Sequence, residues 1–258
     1  MKTRQDEINR AVYHAPQAYR RYRANFLYPA EAACLLKYQP WISGRDVLDV
    51  GVGAGRTTLY LAPLARRYEA IDYSPVMVDY LKSAMPDISV RQADFRDLGI
   101  FEADSFDLLF ASDNVIDLFS HEDRLRAMSE VRRVLRPGGV VAFCAHNLRY
   151  RRAFSGPRLE WSSNPAWLAS NCAKFLVGSW NHLRVARLRI VGEEYALLND
   201  QGHFYACLHY YASRPTVTAQ LQRSGLRVVD VFDRDGRTVA ERDDDSHTPH
   251  LMYVAQRE

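Results

Sequence analysis

Between residues 46 and 145, short apolar runs alternate with stretches whose apolar positions recur at helical spacing, which predicts repeated strand–helix–strand units and a mainly parallel sheet. Residues 46–50 (DVLDV) read as a first strand, and Leu59, Leu61, Leu64 and Ala65 predict a helix over 57–67. A strand over 69–71, a helix over 75–84, a strand over 88–91 and an apolar strand over 106–111 follow. The next helix, 122–134, carries Leu125, Met128 and Val131 on one face, with Leu135 continuing it. Pro137-Gly138-Gly139 stops it ahead of a strand over 140–145. Outside this stretch the alternation weakens. Residues 1–44 are rich in Tyr and Arg and are expected to be helical, while 148–202 hold three of the four tryptophans and read as an inserted cap. Alternation resumes with a strand over 203–212, a helix over 217–223 and strands over 226–232 and 250–255. Residues 241–246 form an exposed loop or hairpin. The expected architecture is therefore α/β, a doubly wound Rossmann-like sheet with an inserted cap. Residues 1–258 are taken as a single domain, because a chain of this length buries one large core.

Composition removes several alternatives. The 34 Lys and Arg against 31 Asp and Glu leave a net charge of +3, too near neutral to support a protein that lives on the phosphates of a nucleic acid. Cys34, Cys144, Cys172 and Cys207 form no CxxC pair, so the spacing implies neither a zinc site nor a disulfide framework, and no metal is expected. No window approaches 18 continuous apolar residues and the N-terminus is polar, so no membrane association and a cytoplasmic location are expected. The oligomeric state is not legible.

The strongest chemical signal is VLDVGVGAGRTT (47–58), where a strand runs directly into Gly51, Gly53 and Gly55 and then toward a helix. Glycines there permit a sharp turn and let a ligand approach the backbone. The third glycine comes one position earlier than in G-x-G-x-x-G, and Asp49 sits two residues before the first. A carboxylate at that place repels a pyrophosphate and suits the α-ammonium of a methionine moiety, whose carboxylate the loop amides suit. Asp72, about 20 residues beyond the glycines at a strand end, can accept both ribose hydroxyls of an adenosine, with Tyr73 beside it. Asp94 after the third strand can accept from an adenine amino group, with Phe95 and Met77 on either side of the base.

These segments, DVGVGAGRTT, AIDYSPVM, QADFRDL, SFDLLFASDNVIDL and VLRPGG, stand in the order and spacing of a class I S-adenosylmethionine-dependent methyltransferase, which residues 46–147 closely resemble. The resemblance implies a seven-stranded, mostly parallel sheet with an antiparallel last strand. It also implies S-adenosylmethionine as cofactor and S-adenosylhomocysteine as product. Tyr22 or Arg23 is a candidate for the methionine carboxylate. The crevice of such sheets lies beyond the strand C-termini, where Ser112 and Asp113 are expected near the cofactor. Asn114 and Asp117 are expected to orient an acceptor, and His146 to act as general base. His203, Tyr205, Cys207, His209 and Tyr211 share one face of the strand expected over 203–212 and are either packed sheet surface or acceptor lining. The expected activity is methyl transfer to an oxygen or nitrogen of a small-molecule acceptor. The alternatives are an RNA or protein methyltransferase, to which Arg149, Arg151, Arg152 and Arg158 are the only hint, or an inactive regulatory binder.

Overall fold

A computed structural model describes residues 3–16 and 18–258, excluding the Arg21 side chain. Five strands, β1 (Asp46–Val50), β2 (Arg67–Asp72), β3 (Val90–Gln92), β4 (Phe106–Ala111) and β5 (Leu135–Asn147), pair in parallel in the order β3-β2-β1-β4-β5. The last strand, β10 (His250–Arg257), runs antiparallel between β5 and β9 (Leu226–Phe232). These seven strands follow the expected arrangement, within a sheet of ten strands among the described residues. Its central strands are buried on both faces, β1 along its whole length and β4 at all but one residue. Leu48, Ile71, Phe106, Leu109, Phe143 and Tyr253 form the center of one apolar layer, which α5 (His121–Val134) and α7 (Arg214–Arg223) cover. The other face packs Val47, Phe110 and Val254 against Cys34 of α2 (Pro29–Lys37) and Ile42. Burying these side chains drives the fold, at about 25 cal/mol for each Å² of apolar surface removed from water.

Several boundaries differ from the sequence reading. The helix after the glycine loop, α3 (Thr58–Leu61), is one turn long, because Leu64 and Ala65 already belong to the turn that leads into β2. Pro137-Gly138-Gly139 lies inside β5, with a register shift where β4 meets it, so the strand begins at Leu135. The larger correction concerns residues 203–212. Only β8 (His209–Ala212) is strand; residues 202–205 form a 3₁₀ turn in which His203, Phe204 and Tyr205 take φ of 48°, 52° and 64°. Side chains other than glycine rarely adopt this left-handed region, at a cost of about 1–3 kcal/mol each, so surrounding contacts must impose it. Asn181 and Asn199 donate to the carbonyls of Phe204 and Tyr205, at 3.0 and 3.1 Å.

β8 is not one of the seven sheet strands. β10 occupies one edge of β5 as far as His146, so β8, paired with His146 and Asn147, takes the edge that β4 leaves after Phe143. β8 continues antiparallel to β7 (Tyr195–Leu198), and β7 to β6 (Ile190–Val191), a ribbon built from the inserted region. The insertion also holds α6 (Pro165–Ala186), 22 residues long. Asn164 caps it by accepting from the Ala166 and Trp167 amides, and Pro165 takes a first-turn position that needs no N–H. At the other end of the chain, α1 (Arg4–Tyr13) is capped by Thr3 and fastened by side chains. Gln5 and Asn9 both donate to the Leu208 carbonyl, at 3.1 and 2.8 Å, and Asn9 also donates to that of Leu118. α4 (Pro75–Ala84) matches its expected bounds.

One buried ion pair ties these parts together. Asp117 and Arg124, both with fully buried side chains, meet at 2.5 Å, and Arg124 also donates to Gln220 of α7. Replacing Arg124 by Leu strands a carboxylate in the interior, and the expected loss is about 3–5 kcal/mol in urea unfolding. A loss below 1 kcal/mol would show that Asp117 does not depend on its partner.

Candidate active site

The C-terminal ends of β1, β2, β4 and β5 open into one cavity of about 1040 Å³, roofed by the inserted region and the N-terminal segment. Asp49, Gly51, Gly53, Asp72, Tyr73, Met77, Ser112, Asp113, Asn114 and His146 all line it. The structure thus brings together most of the residues expected from sequence. Arg23, Gly55 and Asp117 are not among its lining, and Asp94 and Phe95 border a separate small space of about 30 Å³ beside Asp72 and Tyr73.

The glycine loop acts through shape. Gly53 has φ of 56° and its missing Cβ would face the cavity with only Tyr22 Cβ and the Gly51 carbonyl near 3.9 Å or closer, so a bare backbone is presented to a ligand. At Gly51 a Cβ would lie 2.4 Å from Val115 Cγ2, which makes that glycine a packing necessity as well. Gly55, expected to touch the cofactor, instead makes room for Leu81 of α4, 2.6 Å from where its Cβ would be.

The acidic residues of the loop are already organised. The Gly53 amide donates to Asp72 Oδ2 at 2.9 Å and the Ser74 amide to Oδ1 at 2.8 Å. Burial nevertheless pushes the Asp72 carboxyl up to about 6, those amides restraining the rise. Asp49 accepts from Thr57 Oγ1 and the Tyr68 hydroxyl, each at 2.7 Å, and is likewise raised by burial to about 6. After β4, Asp113 and Asn114 take φ of 55° and 59°, a conformation that Asp and Asn tolerate better than other side chains. Asn114 Oδ1 and the Tyr73 hydroxyl are buried without a hydrogen-bond partner, and both residues face the cavity. Buried polar atoms are ordinarily paired, so two orphans beside a bare glycine and two carboxyls fit a polar ligand with several donors and acceptors. An adenosine carrying an amino acid has that character.

The adenine end is narrower. Arg96 holds both oxygens of Asp94, at 2.9 and 2.7 Å, and reaches Asp6 of α1 and Asp123 as well. Burial alone would raise Asp94, but the Arg96 guanidinium lowers it. The adjoining space holds about one water, with the Arg10 guanidinium 5.6 Å over the Tyr73 ring. Arg23, proposed from sequence for the methionine carboxylate, lies over the Tyr80 ring at 5.9 Å and is not part of the cavity lining. A cation that does line the cavity beside the glycines is Arg56, just past them. It is paired with the buried Glu31 of α2, 25 residues earlier, which also accepts from Ser112. Sequence reading passed over this pair, because no local pattern links α2 to the loop.

The opposite end gathers histidines and carboxylates. Asp117, expected to orient an acceptor, is fully buried and does not reach the cavity. It accepts from the His146 amide at 2.6 Å and from His146 Nδ1 at 2.8 Å. His146 Nε2 lies 3.6 Å from Asp200 Oδ2, and Asp200 in turn accepts from His209 Nδ1 at 2.8 Å and the Tyr211 hydroxyl at 2.7 Å. Desolvation would raise Asp200, but His209 and Tyr211 hold it well below the usual carboxylate range. Burial would lower His209, but Asp200 holds it well above the usual value. Among the described residues, His146, Asp200 and His209 are a group whose ligand atoms lie within 4.8 Å of one another. The two rings are near parallel, at 16° with centroids 5.0 Å apart, and Nδ1 of each is already in a hydrogen bond to a carboxylate, which suits proton handling better than convergence on one ion. Asp200 was missed from sequence; an Asp ending the apolar run 196–198 was its only signal. Of the five-residue face expected over 203–212, His203, Tyr205, His209 and Tyr211 all line the cavity and Cys207 does not, although the 3₁₀ turn sets His203 beside Tyr22, whose hydroxyl lies 2.7 Å from His203 Nε2.

The family comparison agrees with this arrangement. Residues 47–139 match the model of a methyltransferase domain. A probable S-adenosylmethionine-dependent methyltransferase of Mycolicibacterium smegmatis is 34% identical over 105 residues, which are 41% of this chain and 39% of that protein. The cypemycin N-terminal methyltransferase of a Streptomyces species is 33% identical over 116 residues, 43% of this chain and 46% of that protein. The matched stretch therefore spans less than half of these relatives. Among solved structures, the CcbJ methyltransferase of Streptomyces caelestis superposes with a TM-score of 0.61 at 17% identity, covering 95% of this chain and 98% of that one. The 1,6-didemethyltoxoflavin-N1-methyltransferase of Burkholderia thailandensis, solved with S-adenosylhomocysteine, gives a TM-score of 0.61 at 13% identity over 100% of this chain and 92% of that one. The glycine loop, the acidic strand ends and the match over residues 47–139 make this part of the chain similar to the class I S-adenosylmethionine-dependent methyltransferases. The cofactor of that family is S-adenosylmethionine.

The raised carboxyls make a signed prediction. Ribose hydroxyls and an ammonium donate to ionised carboxylates, so ligand binding lowers both values and releases protons near pH 6. Affinity for S-adenosylhomocysteine falls as pH drops from about 7 to about 5, with proton release visible by calorimetry in buffers of different ionisation enthalpy. For the unliganded chain the sign reverses. A carboxyl raised in the folded state contributes stability that is full below about 4 and lost as pH rises through about 6. A pH-independent affinity would remove both carboxyls from the site. Gly53→Val, strained at positive φ and projecting a branched side chain into the cavity, is expected to abolish binding in the same titration.

Proposed function

We propose that this chain transfers the methyl group of S-adenosylmethionine to an oxygen or nitrogen of a small-molecule acceptor, with His146 as the base. The observation that carries this reading is that one cavity joins the Asp49, Gly53 and Asp72 cradle to the cluster of His146, Asp200, His209 and Tyr211. The cofactor supplies a sulfonium methyl that is displaced in line by the acceptor atom. The chain's task is then to position that atom and relieve it of a proton. Asp117 fixes the His146 tautomer by accepting from Nδ1, which leaves the Nε2 lone pair toward the cavity. His146 Nε2 lies 3.6 Å from Asp200 Oδ2, on the side of the ring away from Asp117. Asp117 is in this account a positioning residue that acts through His146. Asn114 offers an open acceptor on the cofactor side, and Phe175, Phe204 and Tyr150 give the cavity aromatic walls.

A nitrogen acceptor is in keeping with the name of one relative, the cypemycin N-terminal methyltransferase. The RNA reading weakens at its own residues: Arg149 and Arg151 are paired with Asp245 and Asp244, which leaves only Arg152 and Arg158 of that cluster at the cavity. Placing adenine beside Asp94 requires Tyr73 and Arg10 to move, since the space there is about 30 Å³.

The test uses methyl-labelled S-adenosylmethionine and a fractionated cell extract. Label is expected in low-molecular-weight material, and label confined to RNA or protein would contradict the acceptor class. His146→Ala is expected to lower transfer by about 10²–10⁴-fold with cofactor affinity nearly unchanged. Full activity in that variant would exclude His146 as the base.

A further inference from the structure

Among the described residues, five cationic side chains line the cavity: Arg56, Arg152, Arg158, Lys174 and Arg234. Arg56 is paired with Glu31, and Arg234 lies 3.7 Å from Asp235. Arg152, Arg158 and Lys174, all from the inserted region, have no ion-pair partner among the described residues. The acids of the cavity are placed elsewhere. Asp49 and Asp72 stand at the cofactor end, Asp200 is held by His209 and Tyr211, and Asp113 lies in the field of Arg56, His146 and His209. Glu160, the remaining acid of the lining, pairs with none of the three cations. The inserted wall of the cavity therefore presents three unpaired cations against one carboxylate.

Local structure sets these cations in place. On α6, Asn171, Lys174, Phe175 and Gly178 line the cavity at helical spacing and so mark the inner face of the helix. The loop that leads into α6 runs back along that face. Asn171 Nδ2 donates to the Glu160 carbonyl at 2.9 Å, and a Cβ on Gly178 would lie 4.0 Å from Pro157 Cβ. Arg158 falls between these two fastenings on the loop and Lys174 falls between them on the helix, so one patch of wall carries both. The ring of Tyr205 borders the same patch, 3.4 Å from the Gly178 Cβ position, and the charge of Arg158 opposes the rise that burial imposes on its hydroxyl. Upstream, Arg149 and Arg151 are drawn off to Asp245 and Asp244, which leaves Arg152 as the arginine of that run that lines the cavity. A cleft wall of one sign concentrates ligands of the other. A guanidinium fork beside an ammonium is the donor set that holds a carboxylate or a phosphate. We propose that this wall binds an anionic group of the acceptor, a carboxylate or phosphate, held by Arg158 and Lys174 with Arg152 adding its charge. Calling that ligand the acceptor rests on the methyl-transfer reading above. An anchor at this wall leaves the other end of the acceptor for His146, which lines the same cavity.

The experiment is calorimetric titration of the full chain, at neutral pH with S-adenosylhomocysteine present, using 2-naphthoate, 1-naphthyl phosphate and the uncharged 2-naphthol as probes. At least one of the two anions is expected to bind about tenfold more tightly than 2-naphthol, and the ratio between the anions tells a carboxylate site from a phosphate site. The double substitution Arg158→Ala, Lys174→Ala is expected to remove that preference and to leave 2-naphthol affinity unchanged. Lys82→Ala, at an exposed lysine of α4 outside the cavity lining, is expected to keep the preference. Thermal unfolding shows that each variant is folded. Failure of both anions to bind, 2-naphthol binding as tightly as either, or a preference that survives the double substitution overturns the proposal. Affinity for S-adenosylhomocysteine is measured separately: a chain that binds it without preferring the anions sinks the anion site alone, and one that prefers the anions without binding it sinks the methyltransferase reading alone.

Discussion

The carboxylate of Asp117 is the constraint on which the acceptor end of this molecule depends. It sits in the turn after β4 with no exposure to solvent, and a buried carboxylate is tolerable only if its neighbours satisfy it completely. Arg124 of α5 supplies the charge, the backbone and ring of His146 supply two donors, and Gln5 of α1 reaches the Asp117 carbonyl at 3.5 Å. Satisfying one acid thus fixes the turn after β4, the end of β5 and a sheet-covering helix relative to one another, and Gln5 fastens the N-terminal helix to the backbone of the same turn. His146 inherits its orientation from that arrangement rather than from the cavity it faces. Rings on β8 then pack against it, Tyr211 at 4.6 Å and His209 at 5.0 Å between centroids, and this gives the inserted ribbon a place on the edge of β5.

The two ends of the cavity solve the burial of charge differently. At the cofactor end Asp49 and Asp72 lack a cationic hydrogen-bond partner, accept only neutral donors, and are pushed up to about 6. That is a site held ready for a ligand that brings its own donors. At the acceptor end Asp200 is matched by His209 and Tyr211 and is held low. That is a site whose carboxylate already has its charge and hydrogen-bond partners in place. Separation of a hungry pair of acids from a satisfied one, within a single cavity, is the electrostatic pattern expected where one end binds and the other reacts.

Much of this was legible in the sequence. Strict local rules wrote the parallel core: apolar runs too short for helices, a glycine loop directly after a strand, and Asp72 at the end of the next one. The polar strand ends at 112–114 and 146 followed from the rule that ligands gather there, and they do line the cavity. What escaped was non-local. α6 has apolar residues on its outward side, so its pattern does not describe an ordinary core helix, although Asn164-Pro165 marked its start. The 203–212 segment alternates like a strand, yet Asn181 and Asn199 bend its first half into left-handed turn, a tertiary override that alternation does not encode. Arg56 with Glu31, and His146 with Asp117 and Asp200, are separated by 25 to 54 residues, and only the folded sheet brings them together.

The central claim is that the turn after β1 receives an adenosine-linked amino acid whose sulfur points toward His146. A crystal structure with S-adenosylhomocysteine tests it most directly. The account predicts the ribose on Asp72, the amino-acid end against Gly51 and Gly53, and the sulfur facing the part of the cavity that holds His146 and Asp200. Density for a dinucleotide at that turn, or a ligand seated with its sulfur turned away from His146, would contradict it.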